Sequence, residues 1–138
     1  MKLSLLYRIT SVLLVLFAAG HTLGFRRVDP GWGVDSFISA LKSTHFAVQG
    51  MDRTYWDFYT GFGLFVTVFL LFAAVLTWQL GSLPKELLST LWILNWSLAA
   101  CFVVVTILSW AYFFVAPLAF SAVITLCLVC AAWLAGRP

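Results

Sequence analysis

Two ionisable side chains, His21 and Asp57, lie inside long apolar stretches of the chain. His21 precedes the end of the first stretch by about one helical turn, and Asp57 follows the start of the second by a similar distance. Ionisable groups at membrane depth are costly and therefore mark candidate functional sites. If the two stretches are adjacent antiparallel helices, the side chains lie at one level, where a carboxylate can orient an imidazole. We therefore predict one polar pocket that contains both residues.

His45 and Arg53 extend this candidate pocket. His45 falls on the apolar stripe of the segment between the two stretches, and Arg53 precedes Asp57 by one turn. An arginine beside the imidazole is suited to bind an anionic headgroup or a carboxylate. A simpler interpretation stays open: Arg53 and Asp57 neutralise each other as a helical i, i+4 pair. In that interpretation His21 only hydrogen-bonds a neighbouring helix.

Three aromatic residues, Tyr55, Trp56 and Tyr59, surround Asp57. Aromatic side chains are enriched where a span meets water, so an interfacial belt explains them without any ligand. The same rings are also suited to sandwich the flat head of a quinone or the headgroup junction of a lipid. The complete candidate ligand site comprises His21, His45, Arg53, Tyr55, Trp56, Asp57 and Tyr59.

Cys127 and Cys130 form a Cys-x-x-Cys motif, the spacing that thiol–disulfide enzymes use. Four-helix oxidoreductases of the vitamin K epoxide reductase type carry this motif in their fourth span. This sequence departs from that pattern because its first long connection holds no cysteine and Cys127 lies about 15 Å inside the last span. We interpret both cysteines as small side chains buried in the bundle, and redox chemistry is the alternative.

The residue types give little support for metal or nucleic-acid binding. A metal site would have to combine His21, His45 and Asp57, and the two histidines do not form a pair positioned for a buried haem. No metal site is therefore predicted, and the residues do not identify a cofactor. The net charge of +3 includes no basic run, which argues against binding to nucleic acid.

The composition is typical of a membrane protein. Of the 138 residues, 63% are hydrophobic and 9% are charged, and the mean hydropathy is +1.03. Soluble domains have about 25% charged residues, whereas a helical span needs about 20 apolar residues. We predict one all-α membrane domain, residues 1–138, with four antiparallel transmembrane helices plus one amphipathic surface helix in the first loop. The predicted spans are residues 3–25, 55–80, 87–114 and 117–135.

The long connection between the first two spans carries a helical pattern. Apolar residues recur at helical spacing from Val34 to Val48, and Gly50 follows as a C-terminal cap. At about 15 residues this helix is too short and too polar to cross a bilayer. We predict an amphipathic helix over residues 34–48 that lies on the membrane surface or covers the mouth of the bundle.

The basic residues do not fix the orientation in the membrane. Four lie on the side of the termini and four on the other side: Lys2, Arg8, Lys85 and Arg137 against Arg26, Arg27, Lys42 and Arg53. The uncharged turn at residues 115–117 and the basic start of the chain favour cytoplasmic termini. The first stretch also has features of a secretory signal, but Arg8 splits its apolar core, and we interpret it as a span.

Two short segments carry a resemblance to known proteins. The segments GHTLG at residues 20–24 and DRTYWDFYTGFG at residues 52–63 resemble a group of small bacterial four-helix membrane proteins to which no activity is assigned. The layout of the whole chain is also similar to the DoxX-like architecture. The resemblance implies a four-helix protein of the bacterial inner membrane and implies no mechanism.

Three classes of function follow from these residues. We expect a binding or accessory protein that holds a membrane lipid or a hydrophobic quinone-like molecule at the outer end of the bundle. One alternative is a structural subunit or assembly factor of a larger membrane complex, or a homo-oligomer. Another is a membrane enzyme that uses His21 and Asp57 for acid–base chemistry, or Cys127 and Cys130 for thiol redox chemistry.

Overall fold

The computed structural model describes residues 2–136, which form six α-helices and one β-hairpin. The helices are α1 (Lys2–Gly24), α2 (Asp35–Ser43), α3 (Tyr55–Leu80), α4 (Lys85–Thr90), α5 (Trp92–Tyr112) and α6 (Val115–Ala135). The strands are β1 (His45–Val48) and β2 (Met51–Thr54), and a short 3₁₀ helix covers Pro30–Trp32. Arg137 and the side chain of Lys2, two of the basic groups weighed for membrane orientation, lie outside the described part of the chain.

Four helices are long and apolar enough to cross a membrane. They are α1, α3, α5 and α6, with apolar segments at Leu3–Gly24, Tyr55–Leu80, Trp92–Tyr112 and Val115–Ala135. A span of about 20 residues at 1.5 Å per residue matches the roughly 30 Å hydrocarbon core of a bilayer. The all-α class and the number of candidate spans are therefore confirmed.

The predicted boundaries of the last two spans need correction. The predicted span at residues 87–114 is divided, since α4 ends at Thr90 and α5 begins after a break at Leu91, where ψ is 27°. The predicted turn at residues 115–117 is also wrong, because α6 already begins at Val115. Pro117 fits within the first turn of α6, where amide groups have no intrahelical acceptor to lose.

The amphipathic helix predicted over residues 34–48 is only partly correct, because α2 ends at Ser43 and residues 45–48 form β1. In β1 the side chains of Phe46 and Val48 are half-buried and the other two are exposed. This alternation is the two-residue period of a strand. Val48 also fits a helical spacing counted from the residues of α2, and that coincidence produced the wrong extension of the helix.

The two strands form a tight antiparallel hairpin. Val48 lies opposite Met51, so the turn consists of Gln49 and Gly50 alone. Both turn residues have positive φ, 51° and 82°, as two-residue hairpin turns of type I′ require. Gly50 therefore provides the turn of a hairpin, and its predicted role as a helix cap is wrong.

The chain divides into two compact units, and α1 and α3 each contribute to both. The first unit contains the residues up to Phe17 and from Leu70 onward. Its core combines small and aliphatic side chains with aromatic ones such as Tyr7 and Phe102, and the small side chains let the helices approach closely. At Gly81 a Cβ atom would lie 3.1 Å from Cβ of Tyr7 and 3.2 Å from the carbonyl oxygen of Ser4.

The second unit, Ala18–Phe69, contains the connection between α1 and α3 together with the adjoining ends of those helices. It has almost no interior: among its described residues, only Ala18 and Thr54 are buried. All the residues of the predicted ligand site belong to this unit, which therefore positions the candidate site.

Candidate functional site

His21 connects the end of α1 to α3. Its Nε2 donates to the carbonyl oxygen of Gly63 at 2.9 Å, and its ring stacks on Phe25 with centroids 5.0 Å apart. One residue further along α1, the hydroxyl groups of Thr22 and Thr67 are 2.9 Å apart. Interhelical hydrogen bonds of this kind hold membrane helices together. For His21 the structure agrees with the simpler packing interpretation of the sequence.

Asp57 caps the start of α3. Its Oδ2 accepts from the backbone amide of Thr54 at 2.8 Å and from the Thr54 hydroxyl at 3.0 Å, while the Asp57 amide donates to that hydroxyl at 3.2 Å. This reciprocal pair is a capping box, in which a Thr and an acidic residue three positions later satisfy each other's amides. The spacing Thr-x-x-Asp ahead of an apolar run is the sequence signal that indicates this cap, and the prediction of a polar pocket overlooked it.

His21 and Asp57 therefore have different partners. Within the described residues, no hydrogen bond or ion pair joins them. The carboxylate is occupied by the backbone and the imidazole by a helix carbonyl. The predicted arrangement, in which Asp57 orients the imidazole of His21, is not the one that the structure shows.

His45 and Arg53 lie on the hairpin. Nδ1 of His45 is 2.9 Å from Oδ2 of Asp52, its diagonal neighbour on the facing strand, and both side chains are well exposed. Arg53 donates to the carbonyl oxygen of Asp52 at 2.6 Å. Because Arg53 belongs to β2, the helical i, i+4 pairing expected with Asp57 does not apply. Arg53 also donates to Sδ of Met51 at 3.4 Å, so the contacts of both basic side chains lie within the hairpin.

An aromatic cavity of about 300 Å³ lies between α2, the 3₁₀ helix and the facing ends of α1 and α3. Five aromatic rings, four aliphatic side chains and Arg27 line it. The rings belong to Phe25, Trp32, Phe37, Trp56 and Tyr59. This volume lies at the lower end of the range of small-molecule sites, and the lining is of the apolar and aromatic kind that such sites share.

Local structure holds several of these rings in place. The hydroxyl group of Tyr59 donates to the carbonyl oxygen of Phe25, and the Tyr59 ring lies 5.3 Å from the Trp56 ring between centroids. Asp29 caps the 3₁₀ helix by accepting from the amide of Gly31 at 2.8 Å, and Trp32 is the last residue of that helix. Hydrogen bonds between side chains and backbone groups therefore hold Tyr59 and the 3₁₀ helix that carries Trp32.

The cavity includes part of the predicted site and adds residues to it. Of the predicted residues, Trp56 and Tyr59 line it, and His21 reaches it only through the stacked Phe25. The remaining predicted residues are not among those that line it: His45, Arg53, Tyr55 and Asp57. Phe25, Arg27, Trp32 and Phe37 are lining residues that the predicted site did not include.

Cys127 and Cys130 lie on α6 in the other unit. Both thiols are free, Cys127 is half-buried and Cys130 is exposed. Cys127 lies twelve residues after the start of α6, about 18 Å along its axis. Cys130 borders a shallow groove of about 270 Å³ whose other lining residues, Val129, Trp133 and Leu134, all come from α6. Reactive thiols lie in electropositive, partly exposed surroundings, and the described residues that line this groove include no basic side chain.

No family model, curated protein or solved structure matches the chain. The resemblance to DoxX-like proteins therefore stays a prediction, and the function has to be inferred from the site itself.

Proposed function

We propose that this chain is a bacterial inner-membrane binding protein that holds a lipid or quinone-like amphiphile in the aromatic cavity of its second unit. The cavity carries the proposal: it has about 300 Å³ of space, and its lining is apolar and aromatic except for Arg27. An amphiphile matches this lining because its apolar part replaces contacts with water while its head stays near the polar rim.

The proposed setting is a bundle of four antiparallel spans with both termini in the cytoplasm. α5 and α6 are separated only by Phe113 and Phe114, and a connection that short favours antiparallel neighbours. The many exposed apolar side chains of the spans match lipid as the surrounding solvent. In this setting the connection between α1 and α3 lies at the outer membrane interface, where aromatic residues concentrate.

The exposure of the cavity wall also supports an occupant. Trp32 and Phe37 are 65% and 61% exposed although both line the cavity. Exposed apolar surface of this kind is typical of ligand grooves and membrane-contact sites. A bound amphiphile together with the membrane interface would remove this surface from water.

The test uses a variant whose larger side chain fills the cavity. Ile38 lines it from α2, whereas its neighbour Ser39 does not, so Ile38→Trp occupies the space and Ser39→Trp is the matched control. Each variant is purified in mild detergent, and the lipids and quinones that it retains are extracted and identified by mass spectrometry. We expect Ile38→Trp to lose a molecule that the parent protein and Ser39→Trp both retain. Equal retention by all three proteins would contradict the proposal.

A further inference from the structure

Three cations lie at the cavity without an acidic partner among the described residues. Arg27 lines the cavity, Lys42 Nζ lies 4.4 Å from the ring centroid of Trp56, and Cζ of Arg26 lies 5.3 Å from that of Phe25. Within this part of the chain, no ion pair involves any of the three. Both rings belong to the cavity wall, so the three positive charges are gathered around one apolar space.

The acidic residues of the same region are mostly engaged elsewhere. Residues 26–57 contain four of them, which formally balance the basic residues of that segment. Asp29 caps the 3₁₀ helix, Asp52 pairs with His45, and Asp57 caps α3. Asp35 lies in the first turn of α2, where a negative charge is favourable to the helix. The acids therefore serve the local fold, and the cations remain available to a ligand.

We infer that the cavity selects an anionic phospholipid, whose phosphate contacts Arg27 while Lys42 and Arg26 supply further positive charge at the rim. The inference rests on the proposed function and narrows it. A phosphate accepts the paired hydrogen bonds that a guanidinium donates, and an acyl chain matches the aromatic and aliphatic wall. A neutral quinone would fill the cavity but leave three cations without a counter-charge.

The experiment measures which lipid stays bound. The full chain is reconstituted in vesicles of equal phosphatidylglycerol and phosphatidylcholine with identical acyl chains, then extracted and washed stepwise in detergent. Mass spectrometry gives the ratio of the two lipids retained. We expect phosphatidylglycerol to exceed phosphatidylcholine, and Arg27→Gln to reduce that excess by about fivefold, the effect of one basic residue near an anionic lipid.

Arg53→Gln is the matched control. Arg53 is a cation of the same connection that does not line the cavity, so its loss should leave the lipid ratio unchanged. A second measurement adds inorganic phosphate to the protein with bound lipid, and chloride at the same ionic strength is the control. Phosphate should displace no more lipid than chloride does if the site binds a lipid headgroup and not a free anion. Displacement by phosphate alone would overturn the assignment to a lipid.

The two proposals fail in different ways. If the parent protein retains both lipids equally, or if Arg27→Gln and Arg53→Gln change the ratio alike, the selection of an anionic head is wrong. Loss of all retained lipid in Ile38→Trp would then still support the binding cavity. If Ile38→Trp retains lipid as the parent does, the cavity is not the binding site, and both proposals are wrong.

Discussion

The buried hydrogen bonds of Asn95 give the most direct test of how the first unit is held together. Tyr7 donates from its hydroxyl group to Oδ1 of Asn95 at 3.0 Å, and Nδ2 of Asn95 donates to the carbonyl oxygen of Leu88 at 2.9 Å. Asn95 is 2% exposed and Tyr7 is 1% exposed. Leu88 lies in the last turn of α4, where carbonyl groups lack intrahelical donors, so Asn95 bridges the helix break and links it to α1.

Removing the partners separately and together isolates the hydrogen bond between Tyr7 and Asn95. Tyr7→Phe should reduce the free energy of unfolding by about 1 kcal/mol, since it leaves one acceptor unpaired. Asn95→Leu should reduce the free energy of unfolding by more than this, because the Tyr7 hydroxyl and the Leu88 carbonyl group both lose their partner. In the Asn95→Leu background, Tyr7→Phe should cost almost nothing. The coupling energy should fall between about 0.6 and about 1.7 kcal/mol, the mean and the maximum for polar pairs between membrane helices.

The free energy of unfolding can be measured by titration with SDS in bicelles, followed by tryptophan fluorescence. A control cycle combines Asn95→Leu with Thr106→Val instead of Tyr7→Phe. The two residues of this control lie eleven positions apart on α5, about 16 Å along its axis. Their effects should add, as those of distant sites do. If Tyr7→Phe reduces the free energy of unfolding equally with and without Asn95, within about 0.4 kcal/mol, the hydrogen bond does not stabilise the unit. That result would refute the expectation.

Three further predictions concern the second unit. Thr54→Ala removes the capping hydroxyl of α3 and should cost about 1 kcal/mol of unfolding free energy in the same titration, with no loss of helical circular dichroism beyond the first turn. Gly63→Ala places a methyl group where the Phe25 ring lies and should lower lipid retention, whereas Gly61→Ala, with no atom within 4 Å of the added Cβ, should not. Asp52→Asn breaks an exposed ion pair on the hairpin and should change the free energy of unfolding by less than about 1 kcal/mol; a larger loss would show that the hairpin charges are structural.

The four long apolar helices were predictable because length and hydropathy alone determine them. The second predicted span, residues 55–80, matches α3 at both ends. The break at Leu91 was not predictable in this way, since no glycine or proline marks it in the sequence. Four residues later, Asn95 donates across this break to a carbonyl group of α4. Hydropathy does not record such a contact.

The aromatic cavity lies in the region predicted for the site but is lined largely by other residues. Charge and depth pointed to His21 and Asp57, yet His21 donates to a backbone carbonyl group of α3, and Asp57 accepts from the backbone at the start of its own helix. Two aromatic residues chosen because they surround Asp57, Trp56 and Tyr59, do line the cavity. Arg27 was counted only for membrane orientation, because its position at the cavity follows from the path of the connection, which the sequence pattern does not give.

The near absence of an interior in the second unit links its fold to its proposed ligand. Among its described residues only Ala18 and Thr54 are buried, so the connection gains little from its own core. Burying apolar surface contributes about 25 cal/mol per Å², and here most of that surface faces the cavity or the surroundings. An amphiphile that binds the folded connection must therefore stabilise it, and the stabilisation grows with the concentration of free ligand relative to its Kd. It follows that Ile38→Trp, by filling the cavity with its own side chain, should make the second unit less dependent on added lipid, and hydrogen exchange of α2 with and without lipid measures this directly.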